Sequence, residues 1–302
     1  MLKYPINNLG NKIKIMHLPI IISRLSNLLF FIQKTNRHNL IKFDLQKYLA
    51  NESFNLSFYG KNENKIWKQI KKSIGEKNTK QIKKTIVLLK PVFTSHWRKT
   101  SKHLILWKRY FQSNQLLLQK AVLDVKKLSG AKYFAISKVP IYLMSDFKNK
   151  DKEINAWFSW TPKESFIVVE IPFGLKIPNN FFPLGILAHE FFHLILKENK
   201  IFTAQISKIA GENAKLFTKL SKKHISGKMF LEELLISSFI PEGYLSEKYF
   251  GIKVNTYILK PKVLLDWRKL IAFKLKDAAK KYTESGRKIN TRYLRRIIDI
   301  IQ

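Results

Sequence analysis

Two histidines four residues apart, with a glutamate beside the first, are the residues of this chain best suited to do chemistry: His189-Glu190-Phe191-Phe192-His193. On a helix, positions i and i+4 lie one turn apart on one face, so both imidazoles can reach one metal ion. Glu190 lies about 100° round the helix from His189, beside such an ion rather than on it. From there a carboxylate can take a proton from a water acidified by the metal and pass it to a leaving group. Neutral imidazole suits zinc, and zinc lowers the pKa of its water to about 7. The chain holds 7 His among 302 residues. At such frequencies this pattern arises by chance in roughly one chain in a hundred. Cysteine is absent, so thiolate ligands and disulfides are excluded, and any metal must be held by His, Asp or Glu.

The positioning element is the run from Asn180 to Leu196, which predicts a helix. Phe181, Phe182, Leu184, Ile186, Leu187, Phe191, Phe192 and Leu194 to Leu196 make it apolar nearly all round, the mark of a buried helix. Two histidines and a glutamate buried there cost several kcal/mol unless paired or metal-bound.

A catalytic zinc needs a third protein ligand and one open position. A third histidine at the metzincin offset is excluded, because Leu196 and Asn199 occupy those places. Glu242 is the preferred ligand. Pro241 suits a first helical turn, so Glu242 would open a new helix. Gly243 would let another backbone approach closely. Phe239, Ile240, Tyr244 and Leu245 make the surroundings apolar, so an acid there needs a partner. Glu233 competes, next to Glu232 in the apolar run Met229 to Ile236; at least one of that pair should face water. Glu212, 19 residues after His193, also competes, on an amphipathic helix.

These residues resemble the gluzincins, zinc metallopeptidases with HExxH on one helix and a liganding glutamate on a later one. Glu242, Gly243 and Tyr244 match the Glu-Gly-aromatic start of the second motif, with Leu245 where alanine is usual. The resemblance covers about residues 139 to 250. It implies a zincin-like fold with a small sheet above the active-site helix, a zinc cofactor, Glu190 as general base and acid, and hydrolysis of peptide bonds in a peptide or protein substrate. It also implies a Tyr or His that steadies the oxyanion, for which Tyr249 and His224 are the candidates.

The remaining elements read as helices, then strands, then helices, which predicts an α+β fold. Residues 1–130 form a mostly helical N-terminal region: Pro19 to Gln33, Asn62 to Leu89 interrupted at Pro91, and Thr94 to Leu128 with Gly130 as a stop. Residues 131–302 hold the zincin-like part. Val139 to Met144, Ile154 to Trp160 and Ser165 to Ile171 predict a small, mostly antiparallel sheet with tight connections. An edge strand there could hold an extended peptide by main-chain pairing. Helices follow over Phe202 to Leu220, Lys228 to Phe239, Lys262 to Lys281 and Ile289 to Ile301.

The formal net charge is +35. It points to a second function class, binding to nucleic acid or an anionic surface, carried by Lys65 to Lys90 and by Arg287 to Arg296. Among the 56 basic residues Lys far outnumbers Arg, the residue best shaped for forked phosphate contacts. Lys14, His17, Arg24 and Asn27 break the one long apolar stretch near the start, so no transmembrane helix is expected. With no signal-peptide pattern, the cytoplasm is the default.

Overall fold

A computed structural model describes residues 17–35, 57–60, 62–149, 153–160, 164–221, 225–254 and 260–302. The architecture is α+β, with a small four-stranded sheet inside a helical body. In chain order, β1 (Ile20–Ile21) leads into α1 (Arg24–Thr35), then α2 (Glu63–Ser113) and α3 (Gln115–Ser129). Three strands follow: β2 (Ile141–Asp146), β3 (Asn155–Trp160) and β4 (Ser165–Pro172).

The sheet order is β1-β2-β4-β3. β1 and β4 both run parallel to β2, and β3 alone is antiparallel, paired with β4 from Asn155↔Glu170 to Trp160↔Ser165. The expectation of a mostly antiparallel sheet is therefore corrected to a mixed one. The β3–β4 hairpin accounts for the short connection read from the sequence. β2 reaches its parallel neighbour β4 only through β3. The helix expected over Pro19 to Gln33 begins only at Arg24, and Ile20–Ile21 ahead of it is a strand; two isoleucines carry no period of their own.

Strand side chains alternate between two cores. Ile141, Leu143, Ile167, Val169 and Ile171 join the larger one, with most of the helices. Tyr142, Met144, Phe166 and Val168 join the smaller one, under α1 and the first half of α2. Covered on both faces, β2 and β4 carry the continuous apolar runs Ile141 to Met144 and Phe166 to Val169, as parallel strands do. The larger core contains Leu18 and Trp107 as well as Ile301, so it draws on both sides of residue 130.

α2 continues through Pro91 and breaks instead at Gly75, whose φ of 79° is open to glycine. Pro91 and Val87 both face water, so solvent can take up the carbonyl that Pro91 leaves unbonded.

The rest of the chain is helical: α4 (Phe182–Glu198), α5 (Lys200–Glu212), α6 (Ala214–Ser221), α7 (Gly227–Ser237), α8 (Tyr244–Phe250), α9 (Leu264–Lys274), α10 (Lys276–Glu284) and α11 (Thr291–Ile301). No helix among the described residues is long and apolar enough to cross a membrane.

Candidate metal centre

α4 carries the histidine pair. Pro183 sits in its first turn, and the helix is buried from Leu187 to Leu196. Its i, i+4 spacing brings the Nε2 atoms of His189 and His193 to 3.1 Å. α7 supplies the third group. Glu233 Oε2 lies 3.3 Å from His189 Nε2, and Oε1 lies 3.0 Å from His193 Nε2. The three donor atoms fall within 4.8 Å of one another.

The outer faces of the imidazoles are also fixed. His189 Nδ1 donates to the Ile240 carbonyl at 3.2 Å, and His193 Nδ1 donates to Glu232 Oε1 at 2.8 Å. A carbonyl can only accept; burial favours the neutral form of Glu232, but His193 and then Lys197, whose Nζ lies 3.1 Å from both of its oxygens, outweigh it and lower its pKa. These partners place the Nδ1 protons outward and aim both Nε2 lone pairs inward. Phe158 of β3 stacks on His193, with ring centroids 5.0 Å apart and planes 17° apart.

Two lone pairs and a carboxylate at such distances repel unless a proton or a cation lies among them. Burial pushes the His193 imidazole down, but Glu232 and Glu233 outweigh it and raise the pKa to about 9. Burial likewise favours the neutral form of Glu233, yet the two histidines hold its carboxyl well below the ordinary range. The donor set of two nitrogens and a carboxylate, each imidazole braced from behind, fits a zinc ion.

Glu190 is 7% exposed and borders the same cleft. Burial raises its pKa; His189, His193 and Arg268 pull the other way without reversing the shift. The cleft encloses about 680 Å³. One wall is Ile154, Asn155 and Ala156, at the start of β3, the last strand of the sheet. Pro241, Glu242 and Arg268 also line the cleft.

Glu242, the ligand preferred from sequence, is not in the group of three. Arg268 NH2 holds its two oxygens at 3.0 and 3.2 Å. Its apolar surroundings did require a partner, and a guanidinium supplies it. Helix α8 begins at Tyr244, beyond both Pro241 and Glu242. Gly243 does permit a close approach: a Cβ there would lie 2.1 Å from the Ser238 carbonyl oxygen.

Neither Glu232 nor Glu233 faces open water; their side chains are 4% and 17% exposed. They address opposite nitrogens of His193, so both can turn inward. Glu212 is exposed at the end of α5. The Tyr249 hydroxyl donates to Asp124 Oδ2 at 2.6 Å and does not line the cleft. His224 lies outside the described residues.

Arg268 is a site residue the sequence reading missed. Besides Glu242, its Nε donates to Ser237 Oγ at 2.7 Å, and NH1 lies 3.6 Å from Glu233 Oε2. Its only signal is a lone arginine in a chain whose cations are mostly lysine. The Glu232–Lys197 pair was also missed. Lys197 stands four residues after His193, on the same face of α4, and that spacing could have found it. Comparison with known protein families, with curated proteins and with solved structures gives no match for this chain.

Proposed function

We propose that the chain is a zinc-dependent hydrolase that cleaves peptide bonds at the cleft between α4 and β3. The observation that carries the reading is the convergence of His189 Nε2, His193 Nε2 and the Glu233 carboxylate beside a buried Glu190. Bound there, zinc would supply Lewis acidity toward a water and toward a substrate carbonyl.

The chain's own groups do the rest. Glu190 is the general base: it takes the proton of the attacking water and later delivers it to the departing amine. Its burial suits this, because a carboxylate with a raised pKa both accepts and returns a proton readily near neutrality. Ile240 and Glu232 keep both imidazoles in one tautomer. The outer edge of β3 offers main-chain groups for an extended peptide, and the β3 end lining the cleft sets where that peptide passes Glu190. Arg268 is poised to donate to a substrate carbonyl oxygen, since its guanidinium borders the cleft and is anchored by Ser237 and Glu242.

The test pairs zinc content with hydrolysis of a quenched fluorescent peptide library. About one zinc per chain is expected in the wild type. It should be lost in His193→Ala and Glu233→Ala, and kept in Glu242→Ala. Glu190→Gln should keep zinc and lose hydrolysis by a factor of at least about a hundred. A chain that takes up no zinc on refilling, or an active Glu190→Gln variant, overturns the proposal.

A further inference from the structure

The buried face of α2 serves the cleft: Trp107 lines it, and His103 contacts the Leu175 carbonyl of its rim at 2.7 Å. The outward face of the same helix carries a pattern unrelated to packing. Val87, Leu88 and Val92 are 67%, 78% and 60% exposed, close together within a turn and a half. Lys77, Lys80 and Lys84 precede them on that face, and all three are exposed. Arg98, Lys99 and Lys102 follow, exposed as well. Ile105 and Leu106 repeat the apolar step one stretch further, at 43% and 50% exposure. From Lys77 to Ser113 the helix holds no acidic residue. At 1.5 Å per residue this stripe runs for roughly 50 Å.

We infer that this face of α2 is a docking surface for an anionic phospholipid bilayer. The cationic rows are complementary to lipid phosphates and carboxylates. Large aliphatic side chains held in water between cationic rows gain free energy where an apolar layer lies just beneath negative charge, as at the acyl boundary of an anionic membrane. A nucleic-acid backbone offers the charge without that layer, and Lys rather than Arg predominates on the face. Docked this way, the helix stands between the bilayer and the cleft wall that carries Trp107. The inference stands whether or not the cleft hydrolyses peptides.

The experiment is flotation of the full chain with vesicles of phosphatidylserine and phosphatidylcholine in equal parts, against pure phosphatidylcholine, at low and physiological salt. The wild type should float with the anionic vesicles only. Leu88→Glu with Val92→Glu should weaken binding at least about tenfold, since two aliphatic groups no longer leave water. Lys80→Gln and Lys84→Gln should each weaken it about fivefold. All four positions are exposed, and unchanged zinc content and urea midpoint confirm that each variant is intact. Absence of wild-type flotation at low salt overturns the inference. So does flotation indifferent to Leu88→Glu/Val92→Glu, or binding to duplex DNA in place of vesicles. A wild type that floats but takes up no zinc refutes the hydrolase reading and leaves this one standing.

Discussion

Gly243→Ala probes how the loop behind the candidate metal centre is built. The φ of Gly243 is −101°, open to any residue, so its requirement is space. A Cβ there would meet the Ser238 carbonyl oxygen at 2.1 Å, the Ser238 carbonyl carbon at 2.3 Å and the Phe239 nitrogen at 2.6 Å. All three belong to the backbone, so no rotamer change relieves them. Carbon–oxygen contacts settle near 3.3 Å, and the two segments must part by about 1 Å. The Leu245 N–H to Phe239 carbonyl bond of 2.9 Å joins the two segments, and the His189 to Ile240 carbonyl bond of 3.2 Å ties the displaced one to α4. Lengthened by about 1 Å, such bonds are lost. At about 1 kcal/mol each, with some residual strain, the variant should lose about 2–4 kcal/mol of stability. Zinc affinity should fall about tenfold or more, because His189 loses the carbonyl that orients it. Urea unfolding followed by tryptophan fluorescence reads the first effect, and competition with a chromogenic chelator reads the second. Gly211→Ala is the reference: a Cβ there meets nothing within 4 Å, and α5 should gain up to about 1 kcal/mol. A Gly243→Ala protein with the wild-type midpoint and wild-type zinc affinity would refute the close approach and the coupling to His189.

Glu232→Gln should lower zinc affinity about tenfold to a hundredfold in the chelator assay, since the carboxylate behind His193 loses its charge. Adding Lys197→Met should cost less than the separate effects summed, because Lys197 then no longer faces a neutral partner. Asp124 should mark the acid limb of stability. Burial favours its neutral form, but Lys248 and Tyr249 outweigh that and depress its pKa. A depressed carboxylate contributes stability above its ordinary pKa and loses it as pH falls through the folded value. Asp124→Asn should therefore cost about 1–3 kcal/mol at neutral pH. Its deficit against the wild type should shrink as pH drops below about 4, read by urea midpoints across pH.

What was legible in the sequence is what depends on near neighbours. The four-residue spacing of His189 and His193 lies within one helix, so it fixes their shared face before any packing is known. The β-rich runs read as strands because an apolar run bounded by polar turns needs no partner to be seen. Gly243 was marked for a close approach, and a backbone does press against it. Strand direction was not legible, because it depends on the path taken through β3. The grouping with Glu233 was not legible either. Glu232, Glu233 and Glu242 all sit in apolar surroundings, and all three therefore need partners. Which partner each finds is set by how α7 leans on α4 and α9 on α7. That places Glu233 at both histidines and hands Glu242 to Arg268, which no local pattern announces.

The separation in sequence between α4 and α7 has a consequence for synthesis. Ribosomes deliver His189, Glu190 and His193 well before Glu232, Glu233 and the Ile240 carbonyl. Until those arrive, the nascent chain presents an apolar helix with an incomplete polar cluster, and α9 and α11 must follow before its surroundings close. β1 waits likewise for a partner more than a hundred residues downstream. A chain of such non-local contacts folds late and slowly. Truncation before α7 should leave a product that chaperones retain and proteases clear, so a metal could be held between α4 and α7 only by chain completed past Ile240.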